Sequence, residues 1–407
     1  MVHGLLLASW IMSGSTVIVG LNGALQKRFI LPQSTSFVPG DVHRADEVQV
    51  GVGGKGQDVA IALSCLDFKG DLQLAQFVGS GAEGDQVYDL LKERIGTDAM
   101  SLTVRPKSHM RTCTTIVASD MSTELVEPSG IITEKECEEL MAKLGADKSE
   151  SKVGALCIMG SMPPGCPAEL YADIYECVHG KNTLCLIDSV VGLEPLLKAI
   201  AGSKTSGPAI LKVNASELCR LAKVSKTSSE VGGIESGELV EGVNNFLDKF
   251  QPYAFKALTG FAITDGKHPA HCITIDKEQK AFSIYKIPVP DLESAKTLYP
   301  IGAGDTVAAG MLAAWRYLED RITGDTNLSI GAKVESMLQE RTLSEALVND
   351  HPSEATRNLA TALAFGLACG SASCLQEENS QFDVDVALKL LKETSHPVFV
   401  SSHSIDV

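Results

Sequence analysis

The 11 cysteines of this 407-residue chain include no pair with CxxC spacing. That absence argues against a structural zinc site, and the odd count argues against a disulfide framework. The cysteines instead suit a reducing compartment, where most of them would act as small buried hydrophobic residues. We therefore expect a cytoplasmic protein, with an organelle as the alternative that the sequence leaves open.

Positive charge is also scarce. The chain has 35 Lys and Arg residues against 51 Asp and Glu residues, which gives a formal net charge of −16 at pH 7. Such a charge argues against general binding to nucleic acid or to an anionic membrane surface. We expect neither as a partner, although a few local cations would suffice to hold an anionic small molecule.

Long hydrophobic runs are missing as well. The apolar stretch at residues 4–12 is preceded by no Lys or Arg, so it lacks the basic region of a secretory signal. It is also too short to span a bilayer. We predict that residues 1–14 are an N-terminal extension and that residues 15–400 form a single domain.

Strands and helices alternate along most of the chain. Short apolar segments such as 153–160, 183–190 and 209–214 are each followed by a stretch with helical periodicity. This βαβα rhythm, with nearly continuous apolar strands, predicts an α/β fold in which helices cover both faces of a mostly parallel central sheet.

Three segments depart from that rhythm. Residues 28–52 and 112–127 alternate between apolar and polar positions, which predicts a small β lid separate from the main sheet. Residues 319–356 are charged and polar without a strong apolar period, which predicts a surface insertion between two buried helices. The second of these helices, within 357–374, is rich in small residues, which indicates close packing or a close approach of a ligand.

The first loop that could carry chemistry is GVGGKGQDVA at residues 51–60. Its glycines at 53, 54 and 56 allow a close approach of the backbone, and a helix begins there with its positive end exposed. Lys55 adds a formal charge, so the loop is a candidate anion site. The alternative is a glycine turn with a solvated lysine.

The second loop is LKVNASEL at residues 211–218, at the junction of a strand and a helix. Asn214 and Glu217 have the spacing of a capping box. Alternatively, the amide and the acid organise a hydrated metal ion at the carboxyl end of the strand.

The third loop is YPIGAGDTVAAGML at residues 299–312, which has neither the lysine of a P-loop nor the glycine spacing of a dinucleotide site. Asp305 with Thr306 could simply cap the following helix. Alternatively, the backbone of Gly302, Ala303 and Gly304 forms an anion hole for a phosphoryl group in transit. Asp305, kept ionised by the helix dipole, would then accept a proton from the attacking hydroxyl.

Together and in this order, the three loops resemble the PfkB family of carbohydrate kinases over about residues 16–395. GGKGQDVA is similar to the first family signature, IGAGDTVAAG to the second, and NASE to the N-x-x-E element. The resemblance implies a ribokinase-like three-layer α/β/α sandwich that uses ATP with Mg²⁺. It further implies that Asn214 and Glu217 act on the metal through water, and it admits a monovalent cation near the anion hole.

Two further segments resemble the branch of 1-phosphofructokinases and tagatose-6-phosphate kinases: GSMPPGCPAELY at 160–171 and the stretch 110–133. The resemblance implies that Lys55 and Arg111 engage a phosphate already on the sugar, so that the product is a bisphosphate. The implied substrate-binding residues are Asn22, Gln26, Gly53, Gly54, Lys55, Asp58, Arg111, Glu124 and Ser161. The implied nucleotide-binding residues are Lys212, Asn214, Thr259, Gly260, Gly266 and Gly370.

The chain departs from that branch at three positions. Gly23 replaces a proline, Gln26 replaces an aspartate that contacts sugar hydroxyls, and Asp58 replaces an asparagine. Sugar hydroxyls can bond to a carboxylate or an amide, so this exchange allows an altered substrate preference.

Two alternatives to a sugar-phosphate kinase stay open. One is a kinase for an unphosphorylated sugar or a nucleoside, with Lys55 merely solvated. The other is a weakly active family member with a structural or regulatory role. Because lid strands in this fold often pair between subunits, we also expect a homodimer formed through the lid.

Overall fold

The structure is a computed structural model that describes residues 14–32, 35–68, 72–118, 121–145, 153–180, 183–204, 207–224, 233–293, 295, 297–323, 330–342 and 353–405. The predicted N-terminal extension lies outside these residues except for Gly14. None of the described helices combines the length and the hydropathy needed to cross a bilayer.

Strands and helices alternate as the apolar periodicity predicts. The strands are β1 Thr16–Val19, β2 Ala24–Ile30, β3 Glu47–Gly53, β4 Leu72–Phe77, β5 Thr103–Val104, β6 Thr112–Val117, β7 Ser122–Val126, β8 Ala155–Met159, β9 Leu184–Asp188, β10 Ala209–Asn214, β11 Gly260–Asp265, β12 His268–Asp276, β13 Ala281–Ile287 and β14 Val398–Ser404. The helices are α1 Lys55–Cys65, α2 Ala82–Ile95, α3 Glu134–Leu144, α4 Leu170–Val178, α5 Leu193–Gly202, α6 Ala215–Ala222, α7 Ser236–Lys249, α8 Tyr253–Ala257, α9 Ala303–Thr323, α10 Ala332–Thr342, α11 Glu354–Ser373 and α12 Val384–Glu393.

In the described part of the chain, ten strands form the main sheet, in the order β14-β13-β12-β11-β10-β9-β8-β1-β4-β5. Neighbours from β11 to β5 pair in parallel, whereas β11 to β14 pair antiparallel. Strand β1 shows why both faces are covered: Val17 and Val19 join one hydrophobic core and Ile18 joins the other. Helices α3 to α8 cover one face, and α1, α2 and α9 to α12 cover the other. These three layers confirm the predicted fold class.

A separate four-stranded sheet, which we call the lid sheet, has the order β3-β2-β6-β7. Strands β3, β6 and β7 fall almost entirely within the two segments predicted to form a lid, whereas β2 begins four residues before the first segment, at Ala24. Strand β2 pairs antiparallel with β3 and in parallel with β6, so it lies in the interior of the lid sheet. One face of this sheet is directed toward the carboxyl ends of the main parallel strands.

Close packing explains the small residues of α11. A Cβ atom on Gly366 would lie 2.5 Å from the carbonyl oxygen of Val307, and one on Gly370 would lie 2.8 Å from the carbonyl oxygen of Ala303. Helix α11 therefore packs directly against the first turns of α9. Of the two interpretations of the small-residue helix, the structure supports close packing at these positions.

Part of the predicted polar insertion packs on the main body. Within it, Ile330, Val334 and Leu338 are buried in the same core as α9 and α11. Arg341, also buried, donates hydrogen bonds of 2.8, 3.0 and 2.9 Å to the carbonyl oxygens at positions 391, 394 and 395. The described part of α10 is thus fixed to the end of α12. Residues 324–329 and 343–352 of the insertion lie outside the described residues.

Candidate active site

The candidate site lies at the carboxyl ends of the parallel strands, where ligands of open α/β sheets bind. Asn22 follows β1, Ser161 follows β8, Asp188 ends β9 and Asn214 ends β10. A cavity of about 450 Å³ lies at this edge, between the sheet and the lid. It is lined by every predicted substrate-binding residue: Asn22, Gln26, Gly53, Gly54, Lys55, Asp58, Arg111, Glu124 and Ser161.

Asp305 lines the same cavity from the start of α9. The helix begins at Ala303, so Asp305 is its third residue and not its N-cap, which corrects the capping interpretation. The preceding Gly302 has a φ of +81°, a conformation that favours glycine. In this turn the N–H of Ala303 donates to the carbonyl of Pro300, and the N–H of Asp305 donates to that of Gly302.

Burial and the negative charge of Asp188 raise the pKa of Asp305 to about 7, although Lys55 and Lys212 oppose the shift. The helix dipole was expected to keep this carboxylate ionised, whereas a pKa of about 7 leaves it mostly protonated below neutral pH. Burial outweighs the dipole because it penalises the charged form directly. Asp305 consequently titrates near neutrality, where a general base is most effective.

Asp188 is the main site residue that the sequence analysis missed. Its Oδ1 lies 2.6 Å from Nζ of Lys55 and its Oδ2 lies 2.5 Å from Nζ of Lys212. Burial opposes ionisation, but the two lysines outweigh it and lower the pKa of Asp188. The available signal was an acidic residue at the carboxyl end of a buried strand, a position that corresponds to that of Asn214 on β10.

The two predicted phosphate anchors line the cavity, and both also bind protein acceptors. Besides its bond to Asp188, Lys55 lies 3.5 Å from Oε1 of Glu217. Arg111 donates from Nε to the carbonyl of Gly23 at 3.2 Å and from Nη2 to that of Asn22 at 2.7 Å. These bonds use two of the five N–H donors of the guanidinium, so donors remain for an anion.

Gln26 and Asp58, the positions at which the chain departs from the branch, face the same cavity as Asp305. Both are buried, and Nε2 of Gln26 donates to the hydroxyl of Thr115 at 2.7 Å. Burial and the nearby Asp305 raise the pKa of Asp58, against hydrogen bonding by Ser380. Among the described residues, Oδ1 of Asp58 has no hydrogen-bond partner.

Asn214 and Glu217 form the predicted capping box. The N–H of Glu217 donates to Oδ1 of Asn214 at 2.8 Å, and the N–H of Asn214 donates to Oε2 of Glu217 at 2.9 Å. Glu217 also lines the cavity. Capping uses only one carboxylate oxygen, so it leaves Oε1 directed toward Lys55 and the site.

Several predicted nucleotide-binding residues do not reach the cavity. Thr259 and Gly260 lie at the amino end of β11, where Thr259 bonds to the backbone of Ala209. Thr264, not Thr259, pairs with Asn214. Gly260 and Thr264 are four residues apart on this strand. At the rise of a β-strand, that places them about 13 Å from each other. The motif was thus assigned to the wrong end of β11, because an apolar run does not show which residues end the strand.

The other predicted nucleotide-binding residues lie in different parts of the structure, and not all of them are near the cavity. Gly266, with a φ of +58°, follows β11 at the correct edge. Lys212 is buried beneath the cavity and bonds to Asp188. Gly370 faces α9 and serves helix packing. The sequence analysis also missed the loop between α11 and α12, from which Asn379 lines the cavity and Ser380 contacts Gly302 at 3.2 Å.

Comparisons with known proteins identify relatives of this chain and of its fold. Tagatose-6-phosphate kinase from Staphylococcus epidermidis is 28% identical over 272 residues, which cover 66% of this chain and 76% of that protein. The crystal structure of phosphofructokinase-2 from Escherichia coli in complex with potassium has a TM-score of 0.63 at 19% identity and covers 94% of this chain and 99% of that one. Ribokinase from Thermotoga maritima has a TM-score of 0.57 at 15% identity, covering 94% of this chain and 100% of that one, so the fold is ribokinase-like.

The family model described as pfkB family carbohydrate kinase matches residues 23–339, which contain both glycine loops and the capping box. That match includes Lys55, Glu217 and Asp305, which meet in one cavity. The chain belongs to the PfkB family and is a carbohydrate kinase.

Proposed function

We propose that this protein transfers the γ-phosphoryl group of ATP to a hydroxyl of a hexose phosphate and so forms a bisphosphate. The observation that carries the proposal is one cavity that combines Asp305, whose pKa lies near 7, with the cations Lys55 and Arg111. The similarity to a tagatose-6-phosphate kinase supports a phosphorylated hexose as the acceptor.

In the proposed mechanism, Asp305 is the general base. A hydroxyl oxygen of the sugar attacks the γ-phosphorus, its bond to phosphorus forms, and the bond from phosphorus to the bridging oxygen breaks as ADP leaves. The hydroxyl proton passes to the Asp305 carboxylate. A base in this position orients the nucleophile, while most of the catalysis comes from positioning and charge stabilisation.

The loop at residues 302–304 is the proposed anion hole. Gly302 provides the turn that begins α9, and the helix N-terminus directs positive potential toward the transferring group. Because the N–H of Ala303 donates to Pro300, that donor has to exchange its partner to serve the phosphoryl group. The N–H of Gly304 is the second proposed donor.

Lys55 and Arg111 are the proposed anchors for the phosphate already on the sugar. The ammonium of Lys55 has three donors, so it can bind a phosphate oxygen while it remains bonded to Asp188. Arg111 is held by two backbone carbonyls, which fixes the direction of its remaining donors. Gln26 and Asp58 would then bond to sugar hydroxyls.

The residues present fit Mg²⁺ held through water. Among the described residues, no three carboxylate, imidazole or thiol groups are grouped as direct metal ligands. Glu217 has an oxygen directed at the cavity, and Asn214 fixes its position, so these two residues would bind the hydration shell. When bound with ATP, Mg²⁺ would neutralise charge on the phosphates. A monovalent cation stays a prediction, supported by the potassium in the similar E. coli structure.

A homodimer through the lid is part of the proposal. In the lid register, Val50 and Leu125 both align with Lys27, and Val48 is two residues from Val50, so these apolar side chains share the outer face. They are 41%, 57% and 49% exposed, respectively. An exposed apolar patch of this kind marks interaction sites, and a second copy would cover it. Sedimentation of the wild type against Leu125→Lys tests this, and a monomeric wild type would refute it.

The kinase proposal is tested by measuring ADP release with Mg²⁺–ATP and a panel of hexose phosphates, each paired with its unphosphorylated sugar. We expect turnover at ordinary kinase rates, about 1–100 s⁻¹, with at least one hexose phosphate. A faster reaction with unphosphorylated sugars or nucleosides would support the alternative, a kinase for an unphosphorylated acceptor. The ion pair of Lys55 with Asp188 favours this alternative, because it already engages the lysine within the protein. No turnover with any acceptor would support a structural or regulatory role.

Substituting Lys55 separates the two kinase candidates. If Lys55 anchors a substrate phosphate, Lys55→Met raises KM for the hexose phosphate at least about tenfold, as expected for the loss of a charged hydrogen bond. KM for the corresponding unphosphorylated sugar should change much less. Equal effects on both would show that Lys55 acts through Asp188 rather than on the substrate phosphate.

A further inference from the structure

A buried arginine connects the lid sheet to the loop between α11 and α12. Arg28 is on β2 and is only 4% exposed. Its Nη1 donates to the backbone carbonyl of Glu377 and its Nη2 donates to Oδ1 of Asn379. The planar fork of a guanidinium suits two acceptors held side by side, an arrangement that lysine cannot reproduce.

Neighbouring contacts support the same connection. Gln49, which aligns with Arg28 on the adjacent strand β3, donates from Nε2 to Oε2 of Glu377 at 3.1 Å. The hydroxyl of Tyr299 lies 3.4 Å from Oε1 of Glu377, and the guanidinium of Arg28 lies 5.9 Å from the centre of the Tyr299 ring. Two lid strands and the segment that precedes Gly302 therefore meet at Glu377.

The other end of this loop contacts the catalytic groups. Asn379 lines the active-site cavity, and the next residue, Ser380, donates to the carbonyl of Gly302 at 3.2 Å. Ser380 also lies near Asp58 and opposes the rise in the pKa of that carboxyl. A short path of contacts thus runs from Arg28 through residues 379–380 to the turn that begins α9.

The contact is suited to breaking and re-forming. Burial lowers the pKa of Arg28, and its Nε has no hydrogen-bond partner among the described residues. Desolvation of the charge therefore offsets part of the stabilisation from its hydrogen bonds to Gln49, Glu377 and Asn379. Opening of the lid would return the guanidinium to water and release the loop.

We propose that Arg28 is a positioning residue that couples lid closure to the arrangement of the Gly302 turn. With the lid docked, residues 377–380 hold Gly302 and Asp58 in place, and phosphoryl transfer to the sugar is supported. With the lid undocked, the turn is released, so ATP does not react before the sugar is enclosed. The catalytic consequence rests on the proposed kinase function, whereas the coupling itself does not.

The kinetic test compares Arg28→Met and Arg28→Lys with Arg94→Ala. Arg94 is a matched control because it pairs with Glu378 of the same loop at 2.5 Å but comes from α2 and not from the lid. We expect Arg28→Met to lower kcat about a hundredfold, the scale of a 1 Å misplacement, with a smaller change in KM. The share of ATP hydrolysed without sugar phosphorylation should rise, Arg28→Lys should be intermediate, and Arg94→Ala should stay within twofold of the wild type.

Amide hydrogen exchange without substrates tests the coupling independently of the reaction. We expect Arg28→Met to speed exchange in residues 299–304 as well as 376–381, and Arg94→Ala to leave 299–304 unchanged. Unchanged exchange at 299–304 in Arg28→Met and Arg28→Lys, or equal kinetic losses in Arg28→Met and Arg94→Ala, would overturn the inference. A wild type that phosphorylates no sugar would instead refute the proposed function, and the exchange data would still decide the coupling.

Discussion

Lys55 and Asp188 are 133 residues apart in the sequence, yet Nζ of Lys55 lies 2.6 Å from Oδ1 of Asp188. The other oxygen of Asp188 binds Lys212, which is buried. One carboxylate therefore balances two cations below the candidate active site. The arrangement makes Asp188 important for stability as well as for the charge that surrounds Asp305.

We expect Asp188→Asn to destabilise the protein by about 3–5 kcal/mol, because it leaves the buried Lys212 without its countercharge. The free energy of unfolding in urea at pH 7 measures this. The double variant Asp188→Asn with Lys212→Met is the control, and it should recover a large part of the loss. A single variant as stable as the wild type would show that the lysines find other partners.

The pH dependence of the reaction should follow the protonation of the Asp305 carboxylate. With a pKa of about 7, its carboxylate is the active form, so kcat/KM should fall tenfold for each pH unit well below 7 and level off above it. Asp305→Asn should lower kcat by about 10²–10⁴ and remove this limb of the profile. A variant that keeps the same limb would assign the titration to another group.

The same carboxylate should reduce stability at alkaline pH. Its pKa rises from about 4 in the unfolded chain to about 7 in the folded one, so the folded state favours the protonated form. The contribution of Asp305 to stability is therefore fully present below about pH 4, and it is lost as the pH rises from there through about 7. Asp305→Asn should therefore be more stable than the wild type at pH 8, by a difference on the order of 1–2 kcal/mol once solvent screening is allowed for. Thermal unfolding at pH 5 and 8 checks this, and an equal difference at both would contradict it.

Restoring the branch pattern should change the choice of sugar. We expect the double variant Gln26→Asp with Asp58→Asn to shift the ratio of kcat/KM for two epimeric hexose phosphates at least about tenfold, because each group would present different donors and acceptors to a hydroxyl. Cys113→Ser, which also changes a cavity-lining residue, is the control and should keep the ratio. An unchanged ratio in the double variant would show that the exchange does not set specificity.

Arg341 should stabilise the junction between α10 and α12. Its guanidinium bonds to three backbone carbonyls, so Arg341→Met should cost at least about 2 kcal/mol of unfolding free energy. Lys389→Met is the control, because among the described residues that lysine makes only an exposed ion pair of 3.9 Å with Glu393. The control should cost less than about 1 kcal/mol. Equal losses would mean that Arg341 contributes no more than a surface charge.

Much of the fold and site could be predicted from the sequence, because the relevant signals are local. Period and β-branching predicted the parallel sheet and the lid strands, and the resemblance of two glycine loops to family signatures implied that Lys55 and Asp305 act on one substrate. The resemblance was placed on the wrong residues at Thr259 and Gly260, since an apolar run does not reveal where a strand ends. It also missed Ser380, which lies in a polar loop without a recognisable motif.

The sequence by itself determined that this chain alternates strands with helices and carries the three loops of a carbohydrate kinase, because each of these features is encoded within a few consecutive residues. Only the tertiary structure decided that Asp188 joins Lys55 to Lys212, that Gln26 and Asp58 face Asp305, and that Arg28 contacts a loop about 350 residues away. Those contacts depend on strand order and lid register, which bring distant side chains together. The burial that results also raises the pKa of Asp305 to about 7, an effect that the residue type alone does not contain.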